Sequence, residues 1–176
     1  MKILYTNRLM LRPLELYDAE PMYQLIQHRD VAMTLLNIMY PYSQDAALDF
    51  IHYAHRQTRS GEALYWAILQ DDVFMGVIGL TMRPQHNGAE IGYWLGVPYW
   101  GMGYATEAAR RILQYAFGEL KLHRIHAVCF ADNIASVRVL EKIGLQHEGT
   151  LRHHYLHWGV YKDAAYFGIL NEDNHE

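Results

Sequence analysis

A glycine-rich segment between a predicted strand and a predicted helix could bind a phosphate group. Residues 100–107 read Trp-Gly-Met-Gly-Tyr-Ala-Thr-Glu, follow an apolar stretch and open the most regular helical pattern in the chain. Glycine lets backbone N–H groups approach an anion closely, and the N-terminus of a helix adds a favourable dipole. The segment therefore predicts an anion site, with a phosphate compound as the expected ligand.

Two common phosphate-binding motifs do not fit this segment. A nucleoside-triphosphate loop needs Gly-Lys followed by Ser or Thr, and the chain has no lysine between Lys2 and Lys121. A dinucleotide-binding turn needs a third small residue, where Thr106 stands, and an acid about twenty residues further on, where His123 stands. That turn also opens its domain, whereas this one follows three predicted strands of the main sheet. A different phosphate compound is indicated.

The elements that hold this turn follow from the spacing of the apolar residues. Alternating polarity predicts strands, and a period of three to four residues predicts helices. Strands are predicted over residues 8–14, 63–69, 73–82, 89–97, 124–130, 147–158 and 160–170. Helices are predicted after a cap at Asp18, from Ser43 or Gln44, from the glycine-rich turn to Gly118, and after a cap at Asp132 or Asn133.

This order of elements predicts an α+β fold with a mixed, mostly antiparallel central sheet flanked by about four helices. Runs of strands precede a strand–helix–strand unit, which brings a parallel pair into the sheet. No linker divides the chain, so one domain over residues 1–176 is expected. The charged tail, 171–176, is expected to fray.

Three collinear motifs resemble the GNAT superfamily of N-acetyltransferases. The core pattern of that family is an aliphatic residue, four others, Gln or Arg, two others, Gly, one other, and Gly or Ala. Here it reads Leu95, Trp100, Gly103 and Ala105, and Trp100 departs from the usual Gln or Arg. Residues 133–145 are similar to the family's Asn-x-x-Ser helix, and residues 7–13 to its first strand. The residues of the turn are similar to those in one branch of the family, the ribosomal-protein N-terminal acetyltransferases that act on alanine or serine.

The resemblance implies a GNAT-like sheet with a splayed strand pair, and acetyl-CoA bound beside it as the acyl donor. The strand end would pair with the pantetheine arm, the glycine-rich turn would hold the pyrophosphate, and Val97 N–H would lie near the thioester carbonyl. Asn133 would contact the pantetheine amides, and Ser136 would lie beside the sulfur. The implied cofactor-binding residues are Leu95, Gly96, Val97, Gly101, Met102, Gly103, Tyr104, Ala105, Thr106, Asn133 and Ser136.

Transfer to an amine requires an acid and a base. An α-amine has a pKa near ~8 and a lysine amine near ~10.4, so a proton must be removed before attack. Glu90 is the candidate catalytic base. Alternation along this strand places Glu90 and Trp94 on one face and Tyr93 and Leu95 on the other. Glu90 faces the substrate cleft if Tyr93 and Leu95 face the core, and the sequence leaves the opposite orientation open. Ser136 is one candidate catalytic acid for the departing thiolate, and a tyrosine is the other.

Composition limits the partners of the chain. A net charge of −4 without a basic run gives no attraction to nucleic acid. No apolar run is long enough for a signal peptide or a membrane span, and the single cysteine, Cys129, fits a cytoplasmic protein. His153, His154 and His157 lack the spacing that collects ligands on a helix face, so no metal is expected.

The sequence does not select the amine acceptor. The leading interpretation is acetyl transfer to a primary amine, such as the N-terminal α-amine of a protein. A small-molecule amine (a polyamine, amino acid or antibiotic) is an alternative acceptor. A non-catalytic acyl-CoA-binding module is the alternative outside enzymes, and a homodimer is left open.

Overall fold

An eight-stranded sheet runs through the computed structural model, which describes residues 1–36 and 38–173. Its strands are β1 (Leu4–Tyr5), β2 (Met10–Pro13), β3 (Ala63–Gln70), β4 (Val73–Arg83), β5 (Gly88–Leu95), β6 (Arg124–Phe130), β7 (Gln146–His157) and β8 (Val160–Leu170). The helices are α1 (Ala19–Ile26), α2 (Arg29–Thr34), α3 (Gln44–Ser60), α4 (Tyr104–Gly118) and α5 (Ile134–Lys142). Within the described ranges, no helix is long and apolar enough to cross a membrane.

The sheet contains one parallel pair, and that pair separates along its length. The strand order is β1-β2-β3-β4-β5-β6-β8-β7, and neighbours are antiparallel except β5 and β6. These two strands pair only where Gly88, Ala89 and Glu90 meet Arg124, Ile125 and His126. Beyond Glu90 the ladder ends, although β5 continues to Leu95 and β6 to Phe130. The predicted α+β fold and the splayed strand pair implied by the resemblance are both confirmed.

The sheet separates two apolar layers. One layer packs α4 and α5 against the first face of the sheet, and the other packs α1 and α3 against the second face. Alternation along β5 divides its side chains between these layers. Ile91, Tyr93 and Leu95 pack with the α4 layer, whereas Trp94 packs with the α3 layer. Glu90 and Trp94 therefore lie on the face of β5 opposite to Tyr93 and Leu95, as the alternation predicts, but both faces line the cavity.

The caps of two predicted helices are present. Ser43 accepts a hydrogen bond from Ala46 N at 3.1 Å and begins α3, and Gly61 ends it in the left-handed conformation. At α5 the cap is Asn133 rather than Asp132, because Asn133 Oδ1 accepts from Ser136 N at 3.1 Å. Both arrangements satisfy orphan backbone groups at the helix ends.

Four details differ from the sequence expectations. The structure adds β1 and α2, which are only two and six residues long and too short to show a period. The strand predicted to reach residue 97 ends at Leu95, because a 3-10 turn, Val97–Tyr99, follows. The tail forms a 3-10 turn at Asn171–Asp173, and residues 174–176 lie outside the described residues. Asp18 precedes α1, but its side chain makes no capping bond to that helix.

The Asp18 carboxylate instead holds β2 to the start of α1. Arg12 donates from both Nη atoms to the two carboxylate oxygens, each at 2.7 Å, and Glu15 N donates at 2.8 Å. The Asp18 side chain is 2% exposed and that of Arg12 13%. A buried bidentate pair of this kind leaves an uncompensated charge when one partner is removed.

We expect Asp18→Ala to lower the free energy of unfolding by about 3 kcal/mol, because the buried Arg12 guanidinium loses both carboxylate acceptors and keeps only the neutral Pro13 carbonyl. The matched control is Glu119→Ala, which breaks the exposed Lys2–Glu119 pair. Its cost is expected to stay below about 1 kcal/mol. Urea unfolding of the two variants measures the difference, and equal costs would contradict a structural role for the Arg12–Asp18 pair.

Candidate active site

The glycine-rich turn enters α4 through two residues with positive φ. Gly101 has φ 75° and Gly103 φ 81°, in the left-handed region that favours glycine. Gly103 occupies the N-cap position of α4 and has no side chain with which to cap the helix. The N-terminus of α4 therefore lacks a hydrogen bond from a capping side chain.

The backbone donors of the turn are available to a ligand. In the part of the chain that the structure describes, the N–H groups of residues 101–106 donate to no backbone or side-chain acceptor. The first turn of a helix leaves such donors unsatisfied unless a cap or an anion accepts from them. Thr106 is almost buried and lines the same cavity. These donors suit the oxygens of a phosphate compound.

The N-terminal segment fixes the turn from outside. Arg8 Nη1 donates to Met102 O at 3.1 Å, and Arg8 Nε donates to Glu107 Oε2 at 2.6 Å. Thr6 Oγ1 donates to the other carboxylate oxygen of Glu107, also at 2.6 Å. The Arg8 guanidinium lies over the Tyr104 ring, 4.5 Å from its centroid. Glu107 is thereby paired, so its charge does not oppose an anion at the turn.

Hydrogen bonds within the protein occupy two backbone groups at the end of β5. Trp100, which stands where the family has Gln or Arg, donates from its indole to Leu95 O at 2.7 Å. Gly96 donates to Met75 O at 2.9 Å, and a Cβ on Gly96 would lie 2.5 Å from the Leu25 side chain. Leu95 O and Gly96 N–H therefore have partners within the protein. The contacts of Leu95 and Gly96 with the pantetheine arm stay predictions.

A cavity of about 990 Å³ passes through the gap between β5 and β6. At one end it reaches the glycine-rich turn and the start of α5, and at the other it reaches α1 and α3. The cavity contacts Glu90 and Trp94 on one face of the sheet and Tyr93 and Leu95 on the other. Two substrates that enter from opposite faces could meet in this gap.

Glu90 lies at the narrow end of the gap, where the parallel pairing stops. Its Oε2 lies 3.4 Å from His126 Nε2 and accepts a hydrogen bond from Arg83 at 3.3 Å. The contact with His126 lowers the pKa of Glu90 most and Arg83 lowers it further, while partial burial acts in the opposite direction. Glu90 is therefore ionised at neutral pH.

The start of α5 brings two hydroxyl groups and a thiol together. Tyr93 Oη lies 3.2 Å from Ser136 Oγ and 3.3 Å from Ser136 O. Burial raises the pKa of Tyr93 and of the neighbouring Cys129, so both stay protonated at neutral pH. Asn133 Oδ1 caps α5, and among the described residues its amide nitrogen has no acceptor. Tyr93 is thus the tyrosine that shares a site with Ser136.

Three residues of the site, Arg83, His126 and Tyr93, are not identifiable as site residues from the sequence. His126 reaches Glu90 only through the parallel register of β5 and β6, which no local pattern encodes. Tyr93 was assigned to the core, and it does pack there, but its hydroxyl faces Ser136 at the gap. Fourteen tyrosines made any choice from the sequence arbitrary.

His153, His154 and His157 of β7 have different neighbours. His153 stacks on Tyr161 with a centroid distance of 5.6 Å, whereas His154 contacts Tyr166. His157 is buried against Phe130, with a centroid distance of 4.9 Å. Across residues 1–36 and 38–173, no group of three His, Cys, Asp or Glu residues is placed to hold a metal ion.

Comparison with known proteins gives consistent matches. The sequence profile of the GNAT acetyltransferase domain matches residues 8–146. The uncharacterized N-acetyltransferase p20 of Bacillus licheniformis is 35% identical over 98% of each chain. "Putative ribosomal N-acetyltransferase YdaF" of Bacillus subtilis is 33% identical, over 93% of this chain and 91% of that protein. A GNAT-family acetyltransferase of Bacillus anthracis has a TM-score of 0.86 at 28% identity, over 97% of this chain and 99% of that chain.

These matches, together with the splayed β5–β6 pair and the uncapped start of α4, identify the protein as an acyltransferase. The chain belongs to the GNAT family of acetyltransferases. Enzymes of this family use acetyl-CoA as the acetyl donor, and acetyl-CoA is therefore the co-substrate of this chain.

Proposed function

We propose that this single-domain enzyme transfers the acetyl group of acetyl-CoA to a primary amine by direct attack while both substrates are bound. The amine proposed is the N-terminal α-amine of a peptide or protein. The observation that carries the proposal is the cavity through the β5–β6 gap, which joins the turn at residues 101–106 to Glu90. The name of one relative, "Putative ribosomal N-acetyltransferase YdaF", supports a protein as the acceptor.

The residues present fit acetyl-CoA. Its pyrophosphate would be held by the Thr106 hydroxyl and by the N–H groups of residues 101–106, which have no acceptors of their own among the described residues. All of these residues except Met102 line the cavity. Its pantetheine arm would lie along the end of β5, with the Asn133 amide as a donor. When bound, acetyl-CoA supplies an activated thioester.

The chain's own groups would move the protons. Glu90, beside His126, accepts a proton from the incoming ammonium, which leaves a neutral amine to attack the carbonyl carbon. Val97 N–H lacks an acceptor among the described residues and donates to the carbonyl oxygen as negative charge builds there. As the carbon–sulfur bond breaks, Ser136 or Tyr93 donates a proton to the thiolate. The attacking nitrogen loses its second proton in the same step, and this proton restores the hydroxyl. The products are an amide and the free thiol.

Thiol release with a matched pair of peptides tests the proposal. Both peptides carry one internal lysine, and only one has a free N-terminus. We expect acetyl-CoA turnover with the free peptide alone, and mass spectrometry should place the acetyl group on the α-amine. Acetylation of the lysine in both peptides would move the acceptor to a side-chain amine. If calorimetry shows acetyl-CoA binding while no amine liberates thiol, a non-catalytic binding module would replace the enzyme.

The cytoplasm stays the proposed location. The single cysteine, Cys129, agrees with a reducing compartment.

A further inference from the structure

Two glycines in register leave a hollow in the middle of the sheet. Gly79 on β4 pairs with Gly92 on β5, between the pairs Val77–Trp94 and Thr81–Glu90. Every second residue of a strand shares a face, so all three pairs face α1 and α3. A Cβ added to Gly92 would meet no atom within 4 Å, and Gly92 is exposed although it lies in an interior strand.

Aromatic side chains wall this hollow. The Tyr65 ring covers Gly79, where a Cβ would lie 2.5 Å from the ring. Phe50 and Tyr53 of α3 approach Tyr65 with centroid distances of 5.4 and 6.3 Å. Trp94 closes the side opposite to Glu90. We call the space bounded by Phe50, Tyr53, Tyr65, Gly79, Gly92 and Trp94 the aromatic hollow, and it is part of the cavity that reaches the gap.

Few charged side chains line the cavity on the face of the sheet that α1 and α3 cover. Among the described lining residues Glu90 is the sole carboxylate, and Arg83 and His126 already contact it. Two cationic residues also line the cavity, Arg138 and Lys142. Both lie on α5, which packs against the face of the sheet opposite to α1 and α3. A polyamine needs several acids to balance its charges, whereas one amine attached to an apolar group needs only one.

We propose that the aromatic hollow receives an apolar or aromatic group next to the acceptor amine. The substrate class is then an amine beside a large uncharged side chain, such as a peptide with N-terminal Leu, Met or Phe. This inference rests on the proposed function, because it assumes that the amine is acetylated at the gap. Gly92 determines the size of the group accepted, since any side chain there enters the hollow.

Two acceptor series separate this inference from the proposed function. The first series holds peptides that differ only in an N-terminal Phe, Leu, Ala, Lys or Asp, and the second compares phenylethylamine with spermidine. We expect kcat/KM to be at least about tenfold higher for Phe or Leu than for Lys or Asp, and for phenylethylamine than for spermidine. Peptides acetylated without this preference would overturn the inference and leave α-amine acetylation standing. If phenylethylamine reacts and neither spermidine nor any peptide does, the result supports an apolar group in the aromatic hollow and contradicts a peptide as the acceptor.

A side chain at Gly92 tests the hollow directly. Gly92→Val should lower the ratio of kcat/KM for Phe over Ala peptides at least about tenfold, because the valine occupies the space the large side chain needs. Gly149→Val is the matched control, since Gly149 is also a strand glycine whose Cβ would meet nothing within 4 Å, on β7 outside the cavity lining. Thermal unfolding and acetyl-CoA affinity confirm that both variants fold. An unchanged Phe-to-Ala ratio in folded Gly92→Val would contradict the assignment.

Discussion

Gly103→Val is expected to weaken acetyl-CoA binding by about 100-fold or more, measured as Kd by titration calorimetry. Gly103 has φ 81°, and a β-branched residue adopts this conformation only at a cost of about 1–2 kcal/mol. If the turn moves to relieve that strain, the N–H groups of residues 101–106 no longer converge. Each hydrogen bond to a charged oxygen contributes about 1.5–3 kcal/mol, so the loss of one or two gives the expected weakening.

Gly61→Val is the matched control for backbone strain. Gly61 follows α3 with φ 75°, and a Cβ there meets nothing within 4 Å. The variant should lose stability to a similar degree but keep wild-type affinity for acetyl-CoA. Unchanged affinity in Gly103→Val would remove the turn as the pyrophosphate site. Equal weakening in both variants would attribute the effect to loss of stability.

Glu90→Gln is expected to lower kcat/KM for a peptide acceptor by about 100-fold at a pH of about 6, the lower part of the range for a general base. Contacts with His126 and Arg83 lower the pKa of Glu90, so the carboxylate stays ionised as the pH falls below the amine's pKa of ~8. The wild-type enzyme can therefore use the ammonium form of the acceptor. The variant has no base at this position and reacts only with the free amine. The concentration of free amine falls about tenfold with each pH unit below that pKa.

The pH profile identifies the role of Glu90. The ratio of wild-type to variant kcat/KM should rise as the pH falls from about 9 to about 6, and the two profiles should converge above the amine's pKa of ~8. Glu148→Gln is the matched control, because Glu148 also pairs with an arginine, Arg124, and lies outside the cavity lining. It should follow the wild-type profile. A ratio that is constant with pH would rule out Glu90 as the base.

Local patterns predicted most of the fold. The strands and long helices carry clear periods, and α3 lies between residues that mark helix ends, Ser43 and Gly61. Asp18 shows the limit of such signals. An acidic residue before a helix is typical of a cap, but the nearby Arg12 competes for the same carboxylate and forms a bidentate pair.

The candidate site was predictable only where its residues are close in sequence. The glycine-rich turn is a local motif that the sequence locates, and the cap of α5 is local enough for the sequence to narrow it to Asp132 or Asn133. The neighbours of Glu90 depend instead on which residue of β6 lies beside it, and a one-residue shift would turn His126 to the opposite face. The hollow at Gly79 and Gly92 likewise depends on the register of β4 and β5.

A crystal structure with bound CoA tests the central claim most directly. We expect pyrophosphate oxygens within about 3.2 Å of backbone nitrogens between residues 101 and 106. The sulfur should lie in the β5–β6 gap, within hydrogen-bond distance of the Ser136 or Tyr93 hydroxyl. A pyrophosphate bound away from this turn, or a sulfur outside the gap, would contradict the account.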